Sequence, residues 1–313
     1  MKVLIAIYPF LSQLEGFDNI QFVCNPWGRD PLAEEIEEEI IKGQYDALIV
    51  GTKEVRKSIS EKCPSLKVIS RVGVGYNNID VEHFKKHGVI TTYTPFGPTD
   101  STAEMALAFI LAGTRKLRNY DSLMRQGIWR REFGLRLKDA TIGIVGFGRI
   151  GKRLATLLQA FGCKILLHDI KPDLATAHAM GWEFVDKKEL LERSDIISFH
   201  IPLKKDTIDW LSYDELQLLQ RPVTLVNTAR GGIVNEQAIY EYLKENPDSY
   251  YCCDVFENEP YKGNLIELEN TLLTPHASSF TEGSRRQTEL LAIDNCIRVL
   301  RGEPCENIVE RNE

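Results

Sequence analysis

The sequence has no apolar stretch that approaches the ~20 residues a bilayer-spanning helix needs. Its seven cysteines, Cys24, Cys63, Cys163, Cys252, Cys253, Cys296 and Cys305, include no C-x-x-C spacing and add to an odd total. Neither a disulfide framework nor a zinc site is expected from that pattern, and the chain reads as a cytoplasmic protein with reduced thiols and no metal. No small-residue cleavage site follows the opening MKVLIAIYPFL, which Pro9 interrupts, so the opening is expected to be a strand and not a leader. Repeats of short period and low-complexity linkers are missing as well. Positive charge is in deficit, with a net charge of −7, which argues against a general nucleic-acid binder.

What is present is ordinary globular material: 313 residues, 43% hydrophobic and 27% charged, enough for two domains with separate cores. Apolar runs of strand length occur at 3–7, 47–50, 68–70, 141–145, 164–168, 196–199, 223–226 and 271–273, and helical patterns lie between most of them. Such alternation predicts parallel sheets with helices on both faces. In DPLAEEIEEEIIKG, Asp30 is the expected N-cap, Pro31 the first helical residue and Gly43 the stop.

The sharpest local signal is TIGIVGFGRIGKRLATLLQAFGCKILLHDI. A strand runs into Gly146-Phe147-Gly148-Arg149-Ile150-Gly151, a helix follows, a second strand emerges, and Asp169 ends it. Gly146 allows the tight turn, Gly148 lets backbone approach a pyrophosphate, and Gly151 lets helix and strand pack closely. The helix N-terminus supplies unpaired N–H groups and a positive dipole end to the phosphates. Asp169 would accept hydrogen bonds from a ribose and repel a 2′-phosphate, which predicts NAD in preference to NADP.

A dinucleotide fold names no reaction. Downstream, TLVNTARGG, DVFENEP and LLTPHASSFTEGS each place a polar cluster after an apolar run. The arginine of the first cannot be left unsolvated at the end of a buried strand, so it must be paired or face something anionic. Strand C-terminal ends in open α/β sheets face the ligand crevice, which makes Arg230, Glu259 and His276 candidates for one constellation. Their chemistry suits hydride transfer at a carbinol carbon. An imidazole can pass the hydroxyl proton, a carboxylate beside it favours the imidazolium, and a guanidinium can grip a carboxylate while polarising the adjacent carbonyl.

Through RVGVGYNNID, STAEMALAFIL, GIVGFGRIG, SFHIPL, LVNTARGGIVNEQAI, DVFENEP and TPHASSF, the chain resembles the D-isomer-specific 2-hydroxyacid dehydrogenase family over essentially its full length. The resemblance implies an α/β protein of two doubly wound parallel-sheet domains, a Rossmann NAD domain at 99–280 inserted into a flavodoxin-like substrate domain at 1–98 and 281–313. It implies that Arg230 binds the substrate's carboxylate and carbonyl, that His276 is the acid/base and that Glu259 pairs with it. The backbone N–H groups of Val72, Gly73, Val74 and Gly75 would grip the carboxylate, supported by Asn78, with Arg71 beside them. Cofactor contacts are expected at Val74, Gly146, Gly148, Arg149, Ile150, Gly151, Asp169, Ile201, Thr228, Ala229, Arg230, Asp254, His276 and Ser278. Asn77 and Ser278 stand where relatives often carry aspartate and glycine.

His200 is expected to be structural, and Cys252 and Cys253 to be core residues; His83, His87, His168 and His178 have no partner pattern. STAEMALAFILAGTRKLRNYDSLMRQGIW reads as one long helix that the resemblance places at a homodimer interface. Eight basic residues against two acids lie between Arg115 and Lys138. A solvated basic face is the plain reading, and the resemblance lets this arm cross toward the partner's site. Among the family's substrates the chain looks nearest to 3-phosphoglycerate dehydrogenases without a regulatory domain, with Arg71 and Arg130 or Arg131 as phosphate contacts. Those enzymes often carry arginine where this chain has Gly51, with Lys53 nearby. Glyoxylate or hydroxypyruvate reduction is the alternative. A non-enzyme alternative, an NAD-sensing scaffold like the C-terminal binding proteins, is made less attractive by the complete Arg230, Glu259, His276 set.

Overall fold

A computed structural model describes residues 1–14, 17 and 19–310. The chain divides into two compact units, 1–98 with 280–313 and 99–279. The last three residues of the expected C-terminal segment lie outside the described residues.

The first unit is built on a five-stranded sheet. Its strands are β1 (Lys2–Ala6), β2 (Gln21–Cys24), β3 (Ala47–Val50), β4 (Val68–Arg71) and β5 (Ile90–Thr92). They lie in the order β2-β1-β3-β4-β5, all parallel, the flavodoxin-like order. Helices α1 (Ala33–Gly43), α2 (Ser58–Lys62), α3 (Val81–Lys86) and the C-terminal α11 (Glu282–Arg301) complete the unit. Ile36 and Ile40 of α1 pack with Leu4, Leu48 and Ile69 on one face, and Ala292, Ile293 and Cys296 of α11 cover Val3, Ile49 and Val68 on the other. Strands buried on both faces explain why they read as continuous apolar runs.

Two local expectations are corrected in α1. The cap is Leu32, whose N–H donates to Glu35 at 2.8 Å, while Asp30 is drawn off to Lys53 at 2.6 Å. The stop comes one residue late: Gln44 takes the left-handed conformation at φ +47°. Gly43 is needed for packing, because a β-carbon there would stand 2.1 Å from the Tyr45 ring.

The second unit opens with α4 (Thr99–Thr114) and α5 (Leu117–Arg125). The single long helix expected there is broken at Lys116, which turns to φ +51° while its ammonium pairs with Glu132 and Asp248 at 3.1 and 3.3 Å. Seven parallel strands follow: β6 (Thr141–Val145), β7 (Lys164–His168), β8 (Glu183–Phe184), β9 (Ile196–Phe199), β10 (Thr224–Asn227), β11 (Tyr250–Cys253) and β12 (Thr271–Leu273). Their order is β12-β11-β10-β9-β6-β7-β8, so the chain reverses direction across the sheet between β6 and β9, the switch point of a Rossmann fold. The helices between strands are α6 (Arg149–Gln159), α7 (Leu174–Met180), α8 (Lys187–Arg193), α9 (Tyr213–Leu216) and α10 (Glu236–Glu245). Cys252 and Cys253 point to opposite faces of β11 and are both buried, as a period of two requires. No helix among the described residues is long and apolar enough to cross a membrane.

Candidate active site

The three glycines after β6 are held there for three different reasons. Gly146 has φ +97°, and a β-carbon on it would press on the His200 carbonyl at 2.7 Å. A β-carbon on Gly151 would stand 2.0 Å from the Gly146 oxygen, so this residue sets how closely α6 meets β6. Gly148 has nothing within 4 Å of that position and caps the start of α6, with Arg149 exposed beside it. An open, side-chain-free helix N-terminus is the cradle a pyrophosphate requires. Ile150 packs into the core beneath the turn, and Ile201 touches the crowded side of Gly146.

Asp169 stands at the end of β7, where the sequence placed it. Its Oδ2 accepts the Phe147 N–H at 2.7 Å and its Oδ1 accepts the Lys171 N–H at 2.8 Å. The acid is therefore clamped to the glycine turn and cannot swing away from a ribose bound above it. At the end of β10, the Thr228 hydroxyl oxygen is buried with no hydrogen-bond partner among the described residues. Buried polar atoms are rarely left so, and Thr228 fits a residue completed by a cofactor. These residues fit a dinucleotide, whose nicotinamide supplies or accepts a hydride when bound.

The catalytic candidates are brought together on neighbouring loops of the same unit. His276 Nδ1 lies 2.8 Å from Glu259 Oε2 and 3.1 Å from Oε1. Burial pushes the Glu259 carboxyl up, but the hydrogen bond and charge of His276, the Phe256 N–H and Arg230 outweigh it and hold the carboxyl below its usual range. His276 itself has φ +51°, a conformation costly for a β-substituted residue unless its surroundings over-determine it. They do: its N–H donates to the Asp254 carbonyl at 2.8 Å. Arg230 leaves β10 through a turn fixed by Asn227, whose Oδ1 accepts the Ala229 N–H and whose Nδ2 donates to the Arg230 carbonyl, both at 3.0 Å. Asn227 was not expected, although an asparagine opening a turn after a strand is a known signal.

Asp254 and Ser278, both expected at the cofactor, are bonded to each other and to the loop that carries His276. The Asp254 side chain is fully buried. Its Oδ1 accepts the Ala277 N–H at 2.7 Å and the Thr274 hydroxyl, and its Oδ2 accepts the Ser278 N–H at 2.8 Å and the Ser278 hydroxyl at 2.5 Å. Four donors occupy the carboxylate, so both residues serve to hold the loop that presents His276. His200 hydrogen-bonds Ser198 at 2.9 Å, and burial pushes its imidazole down to about 3, which keeps it neutral.

In the first unit, the RVGVG loop narrows its expected role. The Val72 N–H is committed to the Val50 carbonyl at 2.9 Å and the Gly73 N–H to the Thr94 hydroxyl at 2.6 Å. Among the described residues the N–H groups of Val74 and Gly75 enter no such bond, which leaves them available to an anion. Asn78 does support the loop, donating to the Gly51 and Lys53 carbonyls at 3.1 and 2.6 Å and accepting from Arg71 at 3.3 Å.

Comparison with known proteins decides what this architecture is. The family profile described as "D-isomer specific 2-hydroxyacid dehydrogenase, NAD binding domain" matches residues 107–278. A glyoxylate reductase of Thermococcus litoralis is 36% identical over 96% of this chain and 93% of its own length. The chain belongs to the D-isomer-specific 2-hydroxyacid dehydrogenase family. A D-3-phosphoglycerate dehydrogenase of Methanocaldococcus jannaschii is 38% identical over 88% of this chain, which spans only 53% of that relative. A crystal structure of a Thermus thermophilus protein, 28% identical, superposes with a TM-score of 0.86 over 99% of this chain and 100% of that one. As a member of the family, the chain is an NAD-dependent D-2-hydroxyacid dehydrogenase with a small hydroxy or oxo acid as substrate.

Proposed function

We propose that the chain reduces a short, unphosphorylated 2-oxo acid of the glyoxylate or hydroxypyruvate type to the corresponding 2-hydroxy acid with NADH. The observation that carries this is Arg71. Its guanidinium is turned into its own loop, bonded to Asn78 and to the Val72 carbonyl, and it fills the space that a β-carbon on Gly73 would need, 2.4 Å from its nearest nitrogen. An arginine spent inside the carboxylate loop is not directed at a distal phosphate. Lys53 pairs with Asp30 and Arg130 with Glu132, so two other cations proposed from the sequence also have carboxylate partners. The near full-length match to a glyoxylate reductase supports the same reading. The 3-phosphoglycerate reading draws on the Methanocaldococcus jannaschii relative and on Arg131.

In this reading Arg230 holds the substrate carboxylate and polarises the adjacent carbonyl. As the carbonyl carbon receives the hydride, its oxygen takes a proton from the His276 imidazolium, and Glu259 stabilises the charge that His276 carries beforehand. Val74 and Gly75 supply backbone donors to a carboxylate. We further propose a cytoplasmic homodimer. The seven free cysteines suit a reducing compartment, and Trp129 and Phe133 expose 81% and 101% of their area on the arm after α5, more than a monomer is expected to leave bare.

Steady-state rates with glyoxylate, hydroxypyruvate and 3-phosphohydroxypyruvate decide the substrate. The expected order has the first two ahead in kcat/KM by at least about tenfold, equivalent to ~1.4 kcal/mol. Preference for the phosphorylated acid, lost selectively in Arg71→Ala, would restore the phosphoglycerate reading.

A further inference from the structure

The turn that carries Arg230 and the loop that carries Glu259 meet backbone to backbone. A β-carbon on Gly231 would stand 2.0 Å from the Phe256 carbonyl carbon and 2.4 Å from the Glu257 nitrogen, so only glycine allows the approach. One side chain ties the two segments. Glu236, the first residue of α10, follows the Arg230 turn closely in sequence, and its Oε1 accepts the Glu257 N–H at 2.7 Å. The loop continues from that bond into the acid pair. The neighbouring Phe256 N–H donates to Glu259 Oε1 at 3.1 Å, and Glu259 Oε2 faces His276 Nδ1 at 2.8 Å.

Nothing in the plain helix-capping role requires Glu236 to reach so far. α10 is already capped by Asn235, whose side chain accepts the Ala238 N–H at 2.8 Å. Burial, with the charge of Glu257, raises the Glu236 carboxyl above its ordinary value against the opposing Glu257 hydrogen bond, so this acid sits where a free surface glutamate would not.

We propose that Glu236 is a positioning residue for proton transfer: by holding the Glu257 N–H it locks the 256–259 loop against the Arg230 turn and keeps Glu259 aligned with His276. The proposal rests on the roles given above to Glu259 and His276. Glu236 touches neither reacting atom. Its effect passes through Glu259, and this makes it separable from a general contribution to folding.

The test is a double-variant comparison in glyoxylate reduction at saturating NADH. Glu236→Ala is expected to lower kcat by about tenfold or more, with KM for glyoxylate and Kd for NADH each changed less than about threefold. Glu236→Gln keeps a carbonyl acceptor for the Glu257 N–H and is expected to stay within about threefold of the parent. In a Glu259→Gln background the added Glu236→Ala change is expected to cost less than about twofold, because a residue that acts through Glu259 has nothing left to align. An equal loss in both backgrounds, or a Gln variant as slow as the Ala variant, overturns the proposal. Should Glu236→Ala fail to bind NADH, Glu236→Asp, too short to reach the same N–H, takes its place under the same criteria. A Glu259→Gln rate equal to the parent's sinks the proton-transfer reading itself, and with it this proposal.

Discussion

Asp169 and Phe147 are joined across the two strands that frame the cofactor turn, the carboxylate of one accepting the backbone N–H of the other at 2.7 Å. The acid expected to select the dinucleotide is thus part of the turn's own hydrogen bonding. Asp169→Ala is expected to weaken NADH binding by about tenfold or more, since it removes a charged acceptor from both the ribose and the turn. It is also expected to narrow the preference over NADPH. Fluorescence titration with both dinucleotides checks this; an NADH Kd equal to the parent's removes Asp169 from the site.

Arg230→Lys keeps the charge and loses the planar fork. If two charge-assisted bonds reach the substrate, kcat/KM should fall by about 2 to 4 kcal/mol of transition-state stabilisation. His276→Ala should remove about 10²- to 10⁴-fold in kcat while NADH titrates normally. A near-normal kcat/KM in Arg230→Lys would make that residue structural.

Asp254→Asn puts an amide where four donors converge on a carboxylate. At least one donor then faces another N–H in a fully buried place, and a loss of about 2 to 5 kcal/mol in unfolding free energy is expected. Denaturant melts measure it. Because the same donors hold the 274–278 loop, the variant should also lose kcat at temperatures where it remains folded. An unchanged midpoint in denaturant contradicts the inward assignment of Asp254.

Acid stability has a specific contributor beside the cofactor turn. Lys152 of α6 pairs at 2.7 Å with Asp173, the cap of α7, and bonds from Lys152 and then from the Thr176 hydroxyl and N–H hold the Asp173 carboxyl at about 2. A carboxyl lowered on folding stabilises the native state fully above its unfolded value of 3.8 and ceases to do so as pH falls through about 2. The difference in melting temperature between parent and Asp173→Ala should therefore be constant from neutrality to about pH 5 and shrink below it. A difference that grows on acidification rules the pairing out as its source.

Legibility in the sequence followed how local each feature's cause is. The Gly146, Gly148, Gly151 turn and Asp169 were readable because each answers to the chain within one strand–turn–helix unit. The parallel α/β architecture was readable from alternation alone, yet β2, β5, β8 and β11 were not. The first has an exposed edge pattern, the next two have three and two residues, and β11 is a short aromatic and cysteine run without period. Pro31 and Gly43 suggested the wrong ends for α1, since the pull of Lys53 on Asp30 comes from another segment and Gln44, a residue type that rarely does so, takes the left-handed turn that glycine would be expected to take. The inward turn of Asp254 and Ser278 and the commitment of the Gly73 N–H to Thr94 were likewise hidden. Saturation of a donor or acceptor is a property of three dimensions, and residue type reports only capacity.

The break at Lys116 separates two stretches of helix with different fates. α4 buries eight of its sixteen residues, whereas α5 buries none of its nine. A helix that short has little stability of its own in water, so its amides should exchange with deuterium through local opening while those of α4 wait for global unfolding. If the arm is the seam between two copies, protection in α5 should rise with protein concentration and α4 should be indifferent to it. Assembly would then be readable at single amides, in a segment that the fold itself leaves nearly free of obligation.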